Sequence, residues 1–394
     1  MHLSLSPVVD LNTNSRNPII GNRSFGANSA LVSGLSIAYM KGLQDNGIIA
    51  NAKHFPGHGN VAKDSHWSLP TLNKSYAELD STDLVPFKNL INSGLQSVMV
   101  GHLNIPKIDS KKNQAASVSK ILIKDILKEK MGFNGLVFTD ALNMRAVTRY
   151  HKAGELELKA LQAGNDILIF SEHIPEAIET IKKAVLNKEF PEAELNAKVQ
   201  KVLEAKFKAS LHKIQPIATT HLIEQLNNPA TNSLLLQMFT SAAVVKTDHN
   251  FDLNGKDNPI FITLNTNKAA TYTSKIKAIG NYQVEKVTLQ NINTQRNKFS
   301  RLKNKTFVIA YFNINHGISG KVRVKQAYLD LLSNLKKHNK VILVVFGSPY
   351  ALPKFKNMDH ILLMHEDNFI TQSLAPSLLF GKAKALGTLP ITLN

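Results

Sequence analysis

Short β-rich segments alternate with helical segments through the first half of this 394-residue chain. A strand that is followed by a helix and then by another strand is typical of parallel β/α units. The order therefore predicts a parallel sheet with helices packed against it. The predicted strands occupy residues 3–10, 48–55, 97–102, 136–140 and 166–170. The predicted helices occupy residues 28–45, 76–92, 117–131 and about 153–163.

Polar residues stand at the ends of four predicted strands, at Asp10, His54, His102 and Asp140. In a β/α barrel, ligands bind at the C-terminal ends of the strands, so these four side chains are predicted to face one site. A closed barrel has eight strands, whereas the sequence predicts five here, and Met1 leads almost directly into strand material. We therefore expect a TIM-type (β/α) barrel that lacks its first strands.

A second alternation of strands and helices follows later in the chain. We expect the incomplete barrel to span residues 1–208, a linker to span 209–232, and an α/β sandwich domain to span 233–394. No glycine-rich phosphate-binding motif follows a strand of this second domain, so nothing in it indicates a nucleotide. Its six predicted strands are AAVVK, PIFITL, YQVEKVTL, TFVIAYF, KVILVVFG and HILLM.

The composition narrows the classes of partner. Lysine and arginine outnumber aspartate and glutamate by 47 to 29, and the resulting formal charge of +18 favours anionic partners. However, the lysines are dispersed over amphipathic helical patterns, and no motif with interleaved aromatic residues indicates nucleic acid. No apolar run is long enough for a membrane span. The absence of cysteine excludes disulfides, thiolate metal sites and cysteine nucleophiles.

The stretch KHFPGHGNVAKDSH, which begins at Lys53, concentrates titratable residues on a Pro- and Gly-rich loop. Asp64 can hydrogen-bond the imidazole of His66 two residues later, which would fix the tautomer and support proton transfer near neutral pH. Two alternatives stay open, a metal site formed by His54, His58, Asp64 and His66 and a purely structural loop. Lys53 favours the proton-transfer and ligand-binding interpretation, because a cation is unsuited to a metal shell.

Two further stretches contain candidate site residues. In GLVFTDALNM, an apolar strand ends at Asp140, which is either the cap of the next helix or a carboxylate that reaches the barrel mouth. A carboxylate nucleophile with a separate acid is what retaining glycoside hydrolysis requires. In NPIIGNRSFG, Arg23 is either a surface residue or a bidentate clamp for a ligand.

These stretches together resemble glycoside hydrolase family 3. KHFPGHGNVAKDSH, SPVVDLNTNSRNPIIGNRSFG and GFNGLVFTDALNM are similar, more narrowly, to its β-N-acetylglucosaminidase branch. The resemblance covers residues 1–208 as most of the barrel. Residues 233–394 resemble the α/β sandwich domain of the longer members, including the stretch LLFGKAKALGTLPITL.

The resemblance implies roles for six residues. It makes Asp140 the nucleophile, His66 the acid/base and Asp64 its partner. It makes Arg23, Lys53 and His54 the residues that bind the sugar's hydroxyl groups. The implied reaction is retaining hydrolysis of terminal β-linked N-acetylglucosamine, with peptidoglycan fragments as substrate and neither a metal nor an organic cofactor.

Two departures from the family pattern affect this expectation. Asn60 and Val61 replace the Asp-Thr pair that is common in this branch, and a sugar-binding aspartate of an early strand has no counterpart in the sequence. We therefore expect weak activity, with a non-catalytic carbohydrate-binding remnant as the alternative. A β-glucosidase with Glu366 as its acid/base is a further alternative. For location, the expectation is periplasmic or extracellular, with cytoplasmic as the alternative.

Overall fold

The computed structural model describes residues 1–61, 68–213, 216–247, 253, 258–266, 268–314 and 322–393. Contacts between Cα atoms divide the chain into two compact units, with the main boundary between Pro216 and Ile217. The region predicted as a linker, 209–232, contains one short helix and the beginning of another.

The first unit contains a five-stranded sheet in which all neighbouring strands are parallel, in the order β1-β2-β3-β4-β5. The sequence-based prediction of a parallel β/α fold is thus confirmed. The strands are β1 (Leu3–Ser4), β2 (Ile49–Phe55), β3 (Ser97–Val100), β4 (Leu136–Ala141) and β5 (Ile167–Ile169). The α-helices are α1 (Ser29–Gln44), α2 (Tyr76–Asp80), α3 (Leu84–Asn92), α4 (Arg145–Thr148), α5 (Glu155–Ala163), α6 (Ile174–Leu186) and α7 (Glu192–Lys208). A π-helical segment spans Ile121–Lys130, and 3-10 turns span Gly21–Arg23 and Ala116–Val118.

Both faces of this sheet are covered by apolar side chains. Successive residues of a strand point to opposite faces, so neighbouring apolar residues enter two different clusters. Val98 and Val137 pack in one buried cluster with Phe87 of α3 and Leu127 of the π-helical segment. On the opposite face, Met99, Leu136 and Phe138 pack against α7 through Val202 and Ala205. The apolar strands are therefore sandwiched, and the polar residues at their C-terminal ends are left at one edge.

The prediction of a single helix over residues 76–92 is wrong. The structure has α2, then a turn through Ser81, Thr82 and Asp83, and then α3. Pro86 explains the interruption, because a continuous helix would bring its ring against the carbonyl of Thr82 and leave that carbonyl without a donor. In the first turn of α3, where an N–H has no helical partner, the proline is tolerated.

The predicted strand 3–10 is also shorter than expected, because regular pairing ends at Ser4. Pro7 has no N–H to donate to a ladder. The chain nevertheless stays beside β2, since Lys53 N donates to Pro7 O at 3.2 Å and Val9 N donates to Lys53 O at 2.8 Å. This contact holds Asp10 next to the C-terminal end of β2.

The second unit contains a six-stranded sheet in the order β6-β11-β10-β9-β7-β8, in which only β6 is antiparallel to its neighbour. Its strands are β6 (Val244–Thr247), β7 (Ile260–Leu264), β8 (Val284–Val287), β9 (Thr306–Ile314), β10 (Lys340–Gly347) and β11 (His360–Leu363). Its α-helices are α8 (Leu222–Leu226), α9 (Pro229–Ala242), α10 (Ala270–Ile279), α11 (Ile292–Ser300), α12 (Gln326–Lys336) and α13 (Phe369–Leu379), and a 3-10 helix spans Pro349–Phe355. Helices cover both faces, since Ile342 packs with Tyr272 of α10 and Leu343 packs with Tyr328 of α12. The predicted α/β sandwich is therefore present.

In the part of the chain that the structure describes, no helix combines the length and the apolar character needed to cross a membrane.

Candidate active site

Four predicted polar residues meet at the C-terminal edge of the first sheet. His54 is the penultimate residue of β2, His102 follows β3, and Asp140 is the penultimate residue of β4. Asp10 lies beside the end of β2 and contacts His54 directly. Because these strands are parallel neighbours, their C-terminal ends converge on one region, as the sequence predicts.

Asp10 is the acceptor at the centre of this region. Its carboxylate is fully buried, and its Oδ2 lies 2.7 Å from Nδ1 of His54. The backbone N–H of His58 donates to Oδ1 at 2.6 Å, and the backbone N–H of His54 lies 3.2 Å from both oxygens. Burial alone would raise the pKa of Asp10, but His54 and His58 together lower it below its usual value. The carboxylate is therefore ionised and accepts from all of these donors.

The tautomer of His54 follows from its two neighbours. Arg23 lies in the turn Gly21–Arg23, and its Nη2 is 3.3 Å from Nε2 of His54. A guanidinium group only donates, so Nε2 accepts from Arg23 and Nδ1 carries the proton that faces Asp10. The ring is thereby held in a fixed orientation by a cation on one side and an anion on the other.

Lys53 precedes His54 and is half-buried in the same region. Burial lowers the pKa of Lys53, and the positive charge of Arg23 lowers it further, while Asp140 and Asp10 act in the opposite direction. The ammonium group of Lys53 therefore lies close enough to the carboxylates of Asp140 and Asp10 to interact with both charges. The peptide bond that joins Lys53 to His54 is cis.

His58 is buried, and neither of its ring nitrogens has a hydrogen-bond partner in the described structure. Its ring approaches that of His54 edge-on, with the centroids 5.8 Å apart. Burial lowers the pKa of His58 to about 4, with a further contribution from His54. The imidazole is therefore neutral near pH 7.

The loop around His58 depends on a close approach of two backbone segments. An ideal Cβ on Gly59 would lie 1.8 Å from the carbonyl oxygen of Leu11, so only glycine fits there. Asn17 fixes the same loop by donating from Nδ2 to the carbonyl of His58 at 2.7 Å. The loop that leaves β2 is thus fastened to the segment that contains Asp10.

Asp140 is partly exposed at the same edge, and its Oδ1 accepts a hydrogen bond from the N–H of Ala141 at 2.9 Å. Burial alone would raise the pKa of Asp140, but His54, His102 and the Ala141 N–H outweigh it and lower the pKa below its usual value. An ionised carboxylate at this position has the protonation state that a nucleophile needs.

Two predicted site residues, Asp64 and His66, lie outside the described residues. The predicted acid/base pair therefore stays a prediction, as does the metal site that would have combined these two residues with His54 and His58. Within the described ranges, no group of three or more His, Asp or Glu side chains is arranged to hold a metal ion.

Glu366, the alternative acid/base, belongs to the second unit. It is exposed after β11, and its Oε2 accepts a hydrogen bond from Nδ2 of Asn368 at 3.0 Å.

The sequence located the strand ends but missed how two of the residues act there. In the sequence Asp10 is a polar residue that ends an apolar run, and this signal does not identify it as the acceptor that orients His54. For His58 the sequence suggests only the role of a metal ligand. The burial of its ring, whose nitrogens have no partner among the described residues, depends on the close approach at Gly59, which lies 48 residues after Leu11 and cannot be inferred from spacing.

Comparison with models of known protein families shows to which family the chain belongs. Residues 1–205 match the family model of the glycosyl hydrolase family 3 N-terminal domain. The chain belongs to glycosyl hydrolase family 3. The resemblance predicted from the three sequence stretches is thus confirmed.

Two proteins that this chain resembles in sequence are named β-hexosaminidase. The protein from Tolumonas auensis is 39% identical over 168 residues, which are 42% of this chain and 49% of that protein. The protein from Neisseria meningitidis serogroup C is 37% identical over 181 residues, which are 46% of this chain and 49% of that protein. The chain thus spans about half the length of these relatives.

The fold is similar to that of a solved family 3 β-N-acetylglucosaminidase from a Paenibacillus species. The TM-score is 0.81 at 23% sequence identity, and the match covers all of this chain and 77% of that one. This likeness supports the fold, a TIM-type barrel of which this chain has part, followed by an α/β sandwich.

Proposed function

We propose that this protein hydrolyses terminal β-linked N-acetylglucosamine, with Asp140 as the nucleophile. The observation that carries the proposal is the position of the Asp140 carboxylate, which lies at the same strand edge as the Arg23–His54–Asp10 array and whose lowered pKa keeps it ionised. The β-hexosaminidase names of the two relatives support an amino sugar as the substrate class, since that is the class a hexosaminidase is named for.

The proposed reaction is a double displacement with retention at the anomeric carbon. Asp140 attacks this carbon and forms a glycosyl ester while the bond to the leaving-group oxygen breaks. The leaving oxygen takes a proton from His66, whose orientation we assign to Asp64. The imidazole then removes a proton from water, the water attacks the same carbon, and the Asp140 carboxylate is released.

Arg23, Lys53 and His54 are proposed to bind the hydroxyl groups of the sugar. The hydrogen bonds that hold Arg23 and His54 at the strand edge support this role, because preorganised groups lose little conformational freedom on binding. For the natural substrate we propose fragments of peptidoglycan, which contain β-linked N-acetylglucosamine. The formal charge of +18 suits such anionic wall material.

The test is release of the aryl group from an aryl β-N-acetylglucosaminide, compared with an aryl β-glucoside. The proposal expects turnover of the acetamido sugar only, and a loss on the order of a thousandfold or more in Asp140→Asn. Asp125→Asn, which changes an exposed aspartate on the π-helical segment, is the matched control and should keep full activity. Equal turnover of the glucoside, or full activity in Asp140→Asn, would contradict the proposal.

A second candidate function is carbohydrate binding without turnover. It is favoured by the sheet of the first unit, in which the described residues form five strands where a closed barrel has eight. Calorimetric binding of N-acetylglucosamine by folded protein that releases no aryl group would select this candidate.

A further inference from the structure

His102 is fully buried next to Asp140, and both of its ring nitrogens are occupied by protein groups. Nε2 lies 2.9 Å from the carbonyl oxygen of Ala141, and Nδ1 lies 2.8 Å from Oγ of Ser117. A carbonyl oxygen only accepts, so Nε2 carries the proton and Nδ1 accepts from the Ser117 hydroxyl. Burial lowers the pKa of His102 and outweighs the opposite influence of Asp140, so the ring is neutral in this tautomer.

The partner of His102 is the residue that holds the carboxylate of Asp140. Ala141 donates its N–H to Oδ1 of Asp140 at 2.9 Å, and its carbonyl accepts from His102. The backbone N–H and the backbone carbonyl of Ala141 are therefore both engaged in hydrogen bonds. The N–H and the carbonyl lie in the two peptide units that meet at the Cα atom of Ala141, so a bond that holds the carbonyl restricts the backbone that carries the N–H.

The other end of the arrangement is also fixed. Ser117 lies in the turn Ala116–Val118, and its carbonyl accepts from Nδ2 of Asn165 at 2.8 Å. The same amide donates to the carbonyl of Ala160 at 2.7 Å, so its orientation is determined by two acceptors. A continuous set of buried hydrogen bonds thus connects the start of β5 to the end of β4.

We propose that His102 is a positioning residue for Asp140, acting through the carbonyl of Ala141 and not by transferring a proton. Its engaged ring nitrogens and complete burial leave no site for exchange with a substrate. The inference deepens the proposed function and rests on it for its kinetic consequence. The hydrogen-bond arrangement itself is measurable whether or not the protein turns over a sugar.

The kinetic test compares two substitutions in the full-length chain. His102→Met has similar bulk but no donor, and His102→Gln offers an amide N–H that can reach the Ala141 carbonyl. We expect His102→Met to lower kcat by about 10- to 100-fold with KM nearly unchanged, because only the placement of the attacking carboxylate is altered. His102→Gln should recover most of this loss, and His173→Met, at an exposed histidine, should have no effect.

The spectroscopic test does not need activity. Nitrogen NMR of histidine-labelled protein should show His102 as a neutral ring protonated at Nε2, and ¹³C NMR should show the Asp140 carboxyl titrating at higher pH in His102→Met than in wild type. An Nδ1–H ring, or an unchanged Asp140 titration in His102→Met, would overturn the inference. So would His102→Gln and His102→Met losing kcat equally while both retain the wild-type hydrogen-exchange pattern. If wild type hydrolyses no sugar, the proposed function fails, and the NMR results alone decide the inference.

Discussion

The Nδ1 atom of His54 lies 2.7 Å from the Oδ2 atom of Asp10, across 44 residues of sequence. The same carboxylate accepts the backbone N–H groups of His54 and His58. One buried anion therefore fixes both the orientation of the predicted sugar-binding histidine and the path of the loop that follows it. Two features of this edge, the proposed sugar contact of His54 and the path of the loop, therefore depend on that single residue.

Replacing Asp10 by Asn tests this dependence. The amide keeps one acceptor oxygen but turns an NH₂ group toward donors, so at least one buried donor loses its partner. We expect the first unit to lose about 2–4 kcal/mol of stability, because unsatisfied buried polar groups and broken charge-assisted hydrogen bonds carry costs of this size. Hydrogen exchange of peptides from β2 measures the loss. Asp45→Asn, at an exposed position after α1, should leave this exchange unchanged, and equal behaviour of the two variants would refute the dependence.

Two glycine substitutions test the close approach of the loop to the Asp10 segment. Gly59→Ala would place a Cβ 1.8 Å from the carbonyl of Leu11, so one of the two backbone segments must move. We expect this variant to be destabilised and to lose ligand binding. Gly42→Ala, in α1 with open space around it, should instead be stabilised by roughly 0.5–1 kcal/mol. Urea denaturation ranks the two variants, and a stable, ligand-binding Gly59→Ala protein would contradict the packing.

His58 predicts a pH dependence of stability. Its folded pKa of about 4 lies below the unfolded value of 6.5, so the folded state binds fewer protons between these values. The free energy of unfolding is unaffected by His58 protonation above pH 6.5, and it decreases as the pH falls from 6.5 toward 4. In His58→Leu, we expect stability at pH 7 within about 1 kcal/mol of wild type, since the two ring nitrogens that are removed have no partner among the described residues. At pH 4.5 the variant should be more stable than wild type by roughly 2 kcal/mol.

The measurement is the free energy of opening of β2 and β4 by hydrogen exchange, corrected for the intrinsic rate at each pH. His102, whose pKa is also lowered, contributes a parallel slope in both proteins and cancels in the comparison. Identical pH curves for wild type and His58→Leu would show that His58 is protonated as easily in the folded chain as in the unfolded one.

The sequence was sufficient where local chemistry determines the outcome. Apolar runs that end in a polar residue placed His54 and Asp140 at one strand edge, because parallel strands align their C-terminal ends. It was insufficient where the decisive partner is distant. Within residues 76–92 the proline at position 86 is the local signal against one continuous helix, and the helical pattern on either side of it conceals the break. The pairing of His102 with the carbonyl of Ala141, 39 residues away, required the register of β3 against β4.

Arg23 gives the last prediction, which separates ligand binding from chemistry. Its guanidinium donates to Nε2 of His54, so its removal frees that nitrogen and removes a proposed sugar contact at once. In an Asp140→Asn background, where no turnover obscures binding, we expect Arg23→Ala to weaken the affinity for N-acetylglucosamine about tenfold, which corresponds to one charge-assisted hydrogen bond. Arg23→Lys should not restore it, because an ammonium group cannot reproduce the planar fork of donors.

Arg16→Ala is the matched control, since Arg16 is an exposed arginine on the same segment, and it should bind the sugar as the parent does. In the active protein, the same Arg23→Ala change should appear mainly in KM, because a contact made equally in the ground state and the transition state does not change kcat. Unchanged calorimetric affinity in Arg23→Ala would remove Arg23 from the proposed binding set and leave its bond to His54 as its role. A large fall in kcat at constant KM would instead assign to Arg23, through His54, an effect on the reacting carboxylate.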